Sequence, residues 1–266
     1  MSKQFKHFPP ILHMLVGLYQ MEDRESIEDN VKAVVNCIKK ADVDVLCIPE
    51  FFAHPLGFFK ELVEKFGSKA AEKAYNETWW VIEEIKRASR KFNGYIVAGT
   101  VVEKDEHYYN TCYVLWRGHT AAKYRKINIV DDEVRAGITP GESTISFGIG
   151  MDNFSVKAGI MVCADCLNKN VVESVCRKAK IIFLPISMSS PDHPTVRGHP
   201  VSLKIAQKYG VVIAKTSRTA VYKGRKFGVK SAVITPHGVL AEAESVNEVL
   251  LRVKLPNKML SGPGGI

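Results

Sequence analysis

No apolar run in the chain reaches the roughly 18 residues that a membrane-spanning helix needs. The opening Met1-Ser2-Lys3-Gln4-Phe5-Lys6-His7 precedes only a short apolar stretch with a histidine in it. Such a start makes a poor secretory signal, so the expectation is a cytoplasmic protein with no membrane partner. A disulfide framework is also missing. The six cysteines, at 37, 47, 112, 163, 166 and 176, lie mostly inside strand-like or helix-like apolar segments. Cys163 and Cys166 do form one Cys-x-x-Cys pair, which leaves a redox or zinc reading open. No second pair and no histidine pair completes a tetrahedral zinc set. No His-x-x-x-His stands on a helix, and no glycine cluster has phosphate-loop spacing.

What is present fits a globular α/β protein. The 266 residues are 46% hydrophobic, enough for a substantial core. No linker interrupts them, so one domain is expected over 1–266, with a tail near 257–266 as an arm or disordered. Lysine and arginine total 37 against 28 acidic residues, a net charge of +9. Such an excess can mark a nucleic-acid binder. Here the lysines scatter over helical faces, as at Lys60, Lys65, Lys69 and Lys73, which reads as a solvated basic surface that draws anions. A non-catalytic basic binding protein is the alternative, and it would show salt-dependent affinity for polyanions.

Hydrophobic periodicity orders the chain. Leu12 to Tyr19 reads as a strand, Ser26 to Lys40 as a helix with Ile27, Val31, Val34, Val35 and Ile38 on one face, and 44 to 49 as a strand. The second half repeats this order with strand 156–162, a helix near 171–179, and strand 181–185. Asn170 and Glu173 resemble a capping box for that helix. Between the two β-α-β units, 70–92 has helical spacing, and 95–102 and 111–116 read as strands beside turns at Asn93-Gly94 and Arg117-Gly118. Then follow helix 201–208, strand 211–215, a hairpin of 230–236 and 239–242 around His237-Gly238, and a last strand 250–255. Mixed order with hairpins predicts sheets covered by helices.

Three segments carry chemistry. Cys163 ends the apolar run Ala158-Gly159-Ile160-Met161-Val162, and a thiol at the carboxyl end of a buried strand can sit on the floor of a cleft. A thiolate attacks carbonyl carbon well, and a nearby cation or helix start lowers its pKa. A buried inert cysteine fits the same spacing. Glu50 follows the strand Val45-Leu46-Cys47-Ile48-Pro49 and is a candidate base if buried; alone it reads as a rim residue. Lys126 closes the run Lys123-Tyr124-Arg125, read as the opening of a basic turn, and is a candidate oxyanion stabiliser. Glu133 could hold that lysine by an ion pair. A Cys–His arrangement would draw on His54, His193 or His199.

Taken in order, Ile48-Pro49-Glu50, Tyr124-Arg125-Lys126 with Glu133 and Pro140-Gly141-Glu142, and Gly159-Ile160-Met161-Val162-Cys163-Ala164-Asp165 resemble the nitrilase or carbon–nitrogen hydrolase superfamily. Asp29-Asn30, Tyr109-Asn110-Thr111, Leu184-Pro185 and Phe227-Gly228-Val229-Lys230-Ser231 extend the likeness over nearly the whole chain. The resemblance implies a four-layer α-β-β-α sandwich, assembled as a homodimer or larger homo-oligomer, with no metal and no organic cofactor. It implies Glu50 as general base, Lys126 as oxyanion stabiliser and Cys163 as nucleophile, with Glu133 in support. Ala164 stands where many members carry an aromatic residue, and Cys166-Leu167-Asn168-Lys169-Asn170 replaces an Arg-Phe-Pro-Glu-like run. Ser187-Met188-Ser189-Ser190 lacks the usual tryptophan. Smaller pocket walls or an unusual substrate are therefore expected.

The reaction expected is hydrolysis of a small amide through a cysteine thioester, with Lys126 and the Ala164 N–H at the oxyanion. An N-carbamoyl hydrolase or a nitrilase with the same triad is the alternative. Either way Glu50, Lys126 and Cys163 must converge on one pocket, with Glu133 beside Lys126 or Glu50 and Cys166 turned into the packing under its turn.

Overall fold

The computed structural model describes residues 13–151, 154–187, 197–222 and 224–260. The first part of the chain forms β1 (His13–Glu22), α1 (Ile27–Lys40), β2 (Val45–Cys47), α2 (Phe58–Phe66), α3 (Ala70–Thr78), α4 (Val81–Ser89) and β3 (Tyr95–Lys104). Next come β4 (Tyr108–Trp116), β5 (His119–Arg125), α5 (Asp131–Ala136), β6 (Ser146–Met151), β7 (Phe154–Ile160), α6 (Lys169–Cys176) and β8 (Ile181–Pro185). The last part holds α7 (Pro200–Tyr209), β9 (Val212–Thr216), β10 (Arg218–Tyr222), β11 (Arg225–Gly228), β12 (Ala232–Thr235), β13 (Gly238–Glu242), β14 (Val249–Pro256) and α8 (Asn257–Leu260).

Two sheets result. One runs β11-β10-β1-β2-β3-β4-β5, with β14 also paired to β1; the other runs β13-β12-β9-β8-β7-β6. Both β-α-β units are parallel, β1 with β2 and β7 with β8. Their strands are apolar on both faces, as strands covered on both sides must be. In β2, Val45 and Cys47 face the other sheet, while Leu46, and Ile48 just past the strand, face the helices. In β8, Ile181 and Phe183 face inward, and Ile182 and Leu184 face α6 and α7. Residues of α1 and α4, among them Val31, Val34, Ile38, Val81 and Ile85, cover the first sheet. This is the four-layer α-β-β-α sandwich.

Local signals place the covering helices. Ser26 caps α1, its hydroxyl accepting from the Asp29 N–H at 3.1 Å. Glu28 and Asp29 in the first turn and Lys39 and Lys40 in the last suit the helix dipole. The segment 70–92, expected as one helical stretch, is two helices parted at Trp79-Trp80. The halves bury in different places: Ala70, Ala71 and Ala74 pack with α2 and α5, whereas Val81 and Ile85 pack on the first sheet. The helix expected near 171–179 starts at Lys169 and ends at Cys176. Its cap is Asn168, accepting from the Asn170 and Val171 N–H groups, not the Asn170–Glu173 box. Glu173 instead pairs with Arg177 one turn on.

Strand 156–162 is displaced as well. β7 ends at Ile160, and Met161 and Val162 run on, buried, with the Met161 N–H still bonded to Phe183 O at 3.1 Å. Four strands had no reading in the sequence. β5 lies at a sheet edge with mostly exposed residues and carries no strand-like pattern, and in β6 the alternating Phe147, Ile149 and Met151 are separated by Gly148 and Gly150, which have low strand preference. β10 and β11 form a short hairpin added beyond β1. Of the tail expected over 257–266 as an arm or disordered, Asn257–Leu260 instead form α8, with Leu260 buried in the core between the sheets, and the rest lies outside the described residues. Among those residues no helix is long and apolar enough to cross a membrane.

Gly159 in β7 fixes the seat of α6. A Cβ there would lie 2.5 Å from Val175 Cγ1 and 3.2 Å from Ala179 Cβ. Gly159→Val is expected to push α6 off the sheet and lower stability by about 1–3 kcal/mol, read as a lower urea midpoint at unchanged slope.

Candidate active site

Alternation along β5 explains how a basic run delivers one buried cation. Lys123 and Arg125 face Glu103, with Lys123 Nζ 2.5 Å and Arg125 Nε and Nη2 each 3.0 Å from its carboxylate. Tyr124 and Lys126 point the other way and are buried. The run is therefore the end of a strand, not the opening of a basic turn. Lys126 is the first residue past it, tied to β4 by its N–H donating to Asn110 O at 2.9 Å.

Lys126 Nζ lies 3.0 Å from Glu50 Oε1 and 2.7 Å from Glu133 Oε2, and all three side chains are at least 97% buried. Glu50 stands at the carboxyl end of β2, three residues past Cys47. Its Oε2 accepts the Ser187 N–H at 3.0 Å, just past β8. Glu133 sits in the first turn of α5, where Oε2 also accepts the Val130 N–H at 2.9 Å. Asn110, on β4, donates through Nδ2 to Glu50 Oε1 at 3.1 Å and to Glu133 Oε1 at 2.6 Å. Each carboxylate thus has two or more donors, as buried charge demands.

Cys163 opens a tight turn over Cys163–Leu167 and has φ +46°. That left-handed backbone is uncommon for a residue with a side chain and is held only where the surroundings over-determine it. Asp165 supplies the constraint. Its Oδ2 accepts the Val162 N–H at 2.8 Å and the Tyr124 hydroxyl at 2.7 Å. Its Oδ1 accepts the Ile127 N–H at 3.2 Å and the Asn128 N–H at 2.7 Å. Asn128 Nδ2 returns a bond to Ala164 O at 2.6 Å. One buried carboxylate therefore clamps the cysteine turn of one sheet to the lysine loop of the other. The Cys163 thiol lies in the same buried cluster, close enough to Glu50, Lys126, Cys166 and Glu133 for each to act on it electrostatically.

The electrostatics follow from burial and from one cation between two carboxylates. Burial pushes the Cys163 thiol well above its ordinary range, Glu50 adds to this, and Lys126 opposes it. Burial likewise raises Glu50, which Lys126 lowers and Glu133 raises. For Lys126 burial alone would disfavour the ammonium, but Glu50, Cys163 and Glu133 outweigh it and raise its pKa. The cluster is thus a neutral thiol against a hydrogen-bonded carboxylate whose proton affinity is raised, beside a lysine fixed in its charged form. A thiol, an acceptor and a cation in contact suit acyl transfer.

The remaining sequence candidates lie elsewhere. Cys166 packs toward α6 and α7, with burial pushing its thiol up to about 11. His199 bonds Glu242 at 2.9 Å, and His193 is outside the described residues. His54 is buried against Phe51 and Phe58. Among the described residues no three His, Cys, Asp or Glu side chains gather as metal ligands. Asn110 and Asp165 stood inside quoted motifs without a role. A polar residue in an apolar strand, as Asn110 is in β4, is a signal for a buried network. Nothing local marked Ser187, whose part is played by its backbone.

His54 also makes the fold sensitive to acid. Burial, and then the nearby Arg218, lower its pKa from 6.5 to about 3. The unfolded chain therefore binds a proton that the folded chain refuses between these values, so stability falls as pH drops below about 6.5. The expected loss is at most ~1.4 kcal/mol per pH unit. Urea midpoints at pH 7.5 and 5.5 should differ by less in His54→Phe than in the wild type.

The family model described as carbon-nitrogen hydrolase matches residues 15–257. Human omega-amidase is 29% identical over 161 residues, covering 56% of this chain and 54% of that protein, so the match spans about half of the relative's length. A protein named nitrilase from Pyrococcus abyssi is 27% identical over 212 residues, 79% of this chain and 75% of its own. Among solved structures, a cysteine-to-alanine mutant of a Nesterenkonia amidase from the nitrilase superfamily superposes with a TM-score of 0.76 at 20% identity, over 96% of this chain and 95% of that one. A second form of that amidase, showing the acetamide moiety of fluoroacetamide added covalently at its active-site cysteine, gives 0.76 at 19% identity over 95% and 94%. The family model covers nearly the whole of the two-sheet sandwich and all four of Glu50, Lys126, Glu133 and Cys163: the chain belongs to the carbon–nitrogen hydrolase family.

Proposed function

We propose that the protein is a thiol-dependent amidase that converts a small amide to its acid and ammonia. The observation that carries this reading is the buried Lys126 ammonium held 3.0 Å from Glu50 and 2.7 Å from Glu133, with the Cys163 thiol close enough to act on both the lysine and Glu50. Glu50 takes the thiol proton as the sulfur attacks the amide carbon, so no free thiolate is needed in the resting site. The oxyanion that forms is met by the Lys126 ammonium and the Ala164 N–H. Glu50 passes the proton to the departing nitrogen, ammonia leaves, and a thioester remains. Water, deprotonated by Glu50, then attacks the thioester carbon; the acid departs and Cys163 recovers its proton. Glu133 contacts Lys126 and Asn110 and fixes the lysine.

An N-carbamoyl hydrolase or a nitrilase uses the same groups, and the names of the human and Pyrococcus relatives keep amide and nitrile substrates both in view. Ammonia release from aliphatic amides, ω-amides, carbamoyl amino acids and nitriles separates them, with the small amides expected to turn over fastest. Turnover of nitriles alone would overturn the amidase assignment. A homo-oligomer formed through the helices that flank the sheets is part of this reading and would appear as a multiple of 29.6 kDa in sedimentation.

Cys163→Ala is expected to abolish turnover while leaving the fold intact by circular dichroism. Lys126→Gln should lower kcat by about 10²–10³; full activity in either variant removes the mechanism. Because Glu50 must be ionised to act as base and its pKa is raised, kcat/KM should rise with pH along an acid limb centred above the ordinary carboxylate range. Glu50→Gln should remove that limb together with about 10²–10⁴ of the rate.

A further inference from the structure

Arg218 is a buried charge that takes no part in the chemistry above. It lies where the chain crosses between sheets, β9 ending at Thr216 and β10 beginning at Arg218, opposite Met21 at the end of β1. Its Nη1 donates to Phe51 O at 2.6 Å, and its Nη2 donates to His54 O at 2.6 Å and to Asp23 Oδ1. Asp23 Oδ2 accepts the Leu56 N–H at 2.5 Å. Asn30, buried on α1, donates to Ala53 O at 3.2 Å and to Asp23 Oδ1 at 3.4 Å. The Phe51 N–H goes to Thr100 Oγ1 at 2.9 Å. Residues 51–56 are thus held by side chains from β1, α1, β3 and β10 or their margins.

This loop begins at the peptide that follows Glu50. Phe51 has φ +48°, a left-handed conformation that a bulky side chain adopts only under constraint. Behind it, Gly99 lets β3 approach so closely that a Cβ would lie 1.8 Å from Pro49 O. The backbone on both sides of Glu50 is therefore fixed by contacts that have no role in binding its carboxylate. Where the chain reverses decides where that carboxylate points.

We propose that Arg218 is a positioning residue which, with Asp23 and Asn30, aims the Glu50 carboxylate at the Cys163 thiol by fastening the 51–56 backbone. The proposal rests on the reading of Glu50 as the base for Cys163. Only a planar fork reaches both carbonyls; a lysine at 218 keeps the charge and loses one of the two bonds.

The test is the rate at which iodoacetamide alkylates Cys163 in the full chain, followed by peptide mass spectrometry, with folding checked by near-ultraviolet circular dichroism. It needs no amide substrate. Glu50→Gln is expected to slow alkylation, and Arg218→Gln to slow it by about tenfold or more, since misplacement by about 1 Å can cost 10²-fold. Combined with Glu50→Gln, Arg218→Gln should add less than about twofold, because its effect passes through Glu50. Arg218→Lys and Asn30→Ala should each lose less, and they carry the same cycle if Arg218→Gln fails to fold. A folded variant with the wild-type rate, or one whose loss multiplies in full with that of Glu50→Gln, overturns the proposal. If Glu50→Gln itself leaves the rate unchanged, the base assignment falls and this proposal with it.

Discussion

A single ammonium, that of Lys126, lies between two carboxylates in the interior, and the rest of the site depends on it. Taking such a charge out of water costs several kcal/mol, which only close partners of opposite sign can offset. Glu50 and Glu133 are those partners, at 3.0 and 2.7 Å. Two carboxylates around one lysine leave lone pairs to satisfy, and Asn110, the Ser187 N–H and the Val130 N–H satisfy them. The chain ends of β2, β4, β5 and β8 and the start of α5 must therefore meet at one place. Loss of any one partner leaves uncompensated buried charge.

Asp165 extends this constraint across the sandwich. Its four accepted bonds join the turn after β7 to the loop after β5. Burial raises its pKa, while the Asn128 and Val162 N–H groups and the Tyr124 hydroxyl pull it back. The same clamp holds Cys163 at φ +46°. Strain at the thiol and a buried carboxylate two residues later are one device: the second makes the first tolerable, and together they carry the sulfur to Glu50.

The cluster holds its proton on sulfur and its positive charge on lysine. Burial disfavours every ionised form, yet Lys126 stays charged because its two carboxylates outweigh burial. The thiol has no such surplus of cation around it and stays protonated. Proton transfer to Glu50 is therefore suited to the moment when charge develops on a bound carbonyl, close to the fixed ammonium.

The sequence by itself determined the periodic elements and the order of the chemical segments. Both β-α-β units were legible because strands covered on two faces are continuous apolar runs, and α1 because its cap and stripe are local. Cys163 and Glu50 could be singled out as residues at the ends of such runs, and Lys126 as the close of a basic one. Tertiary structure decided the rest. β5 has sheet neighbours but no apolar alternation, β6 alternates only with glycines between its apolar residues, and the 70–92 segment bends because its halves bury in different clusters. That Lys126 is buried while Lys123 and Arg125 are not follows from a strand register that four basic-run letters do not carry. Asn110, Asp165 and the Ser187 N–H became part of the site only when segments tens of residues apart closed around unpaired charge. Hydrogen-bond satisfaction of that kind is a property of positions in space, and sequence spacing does not encode it.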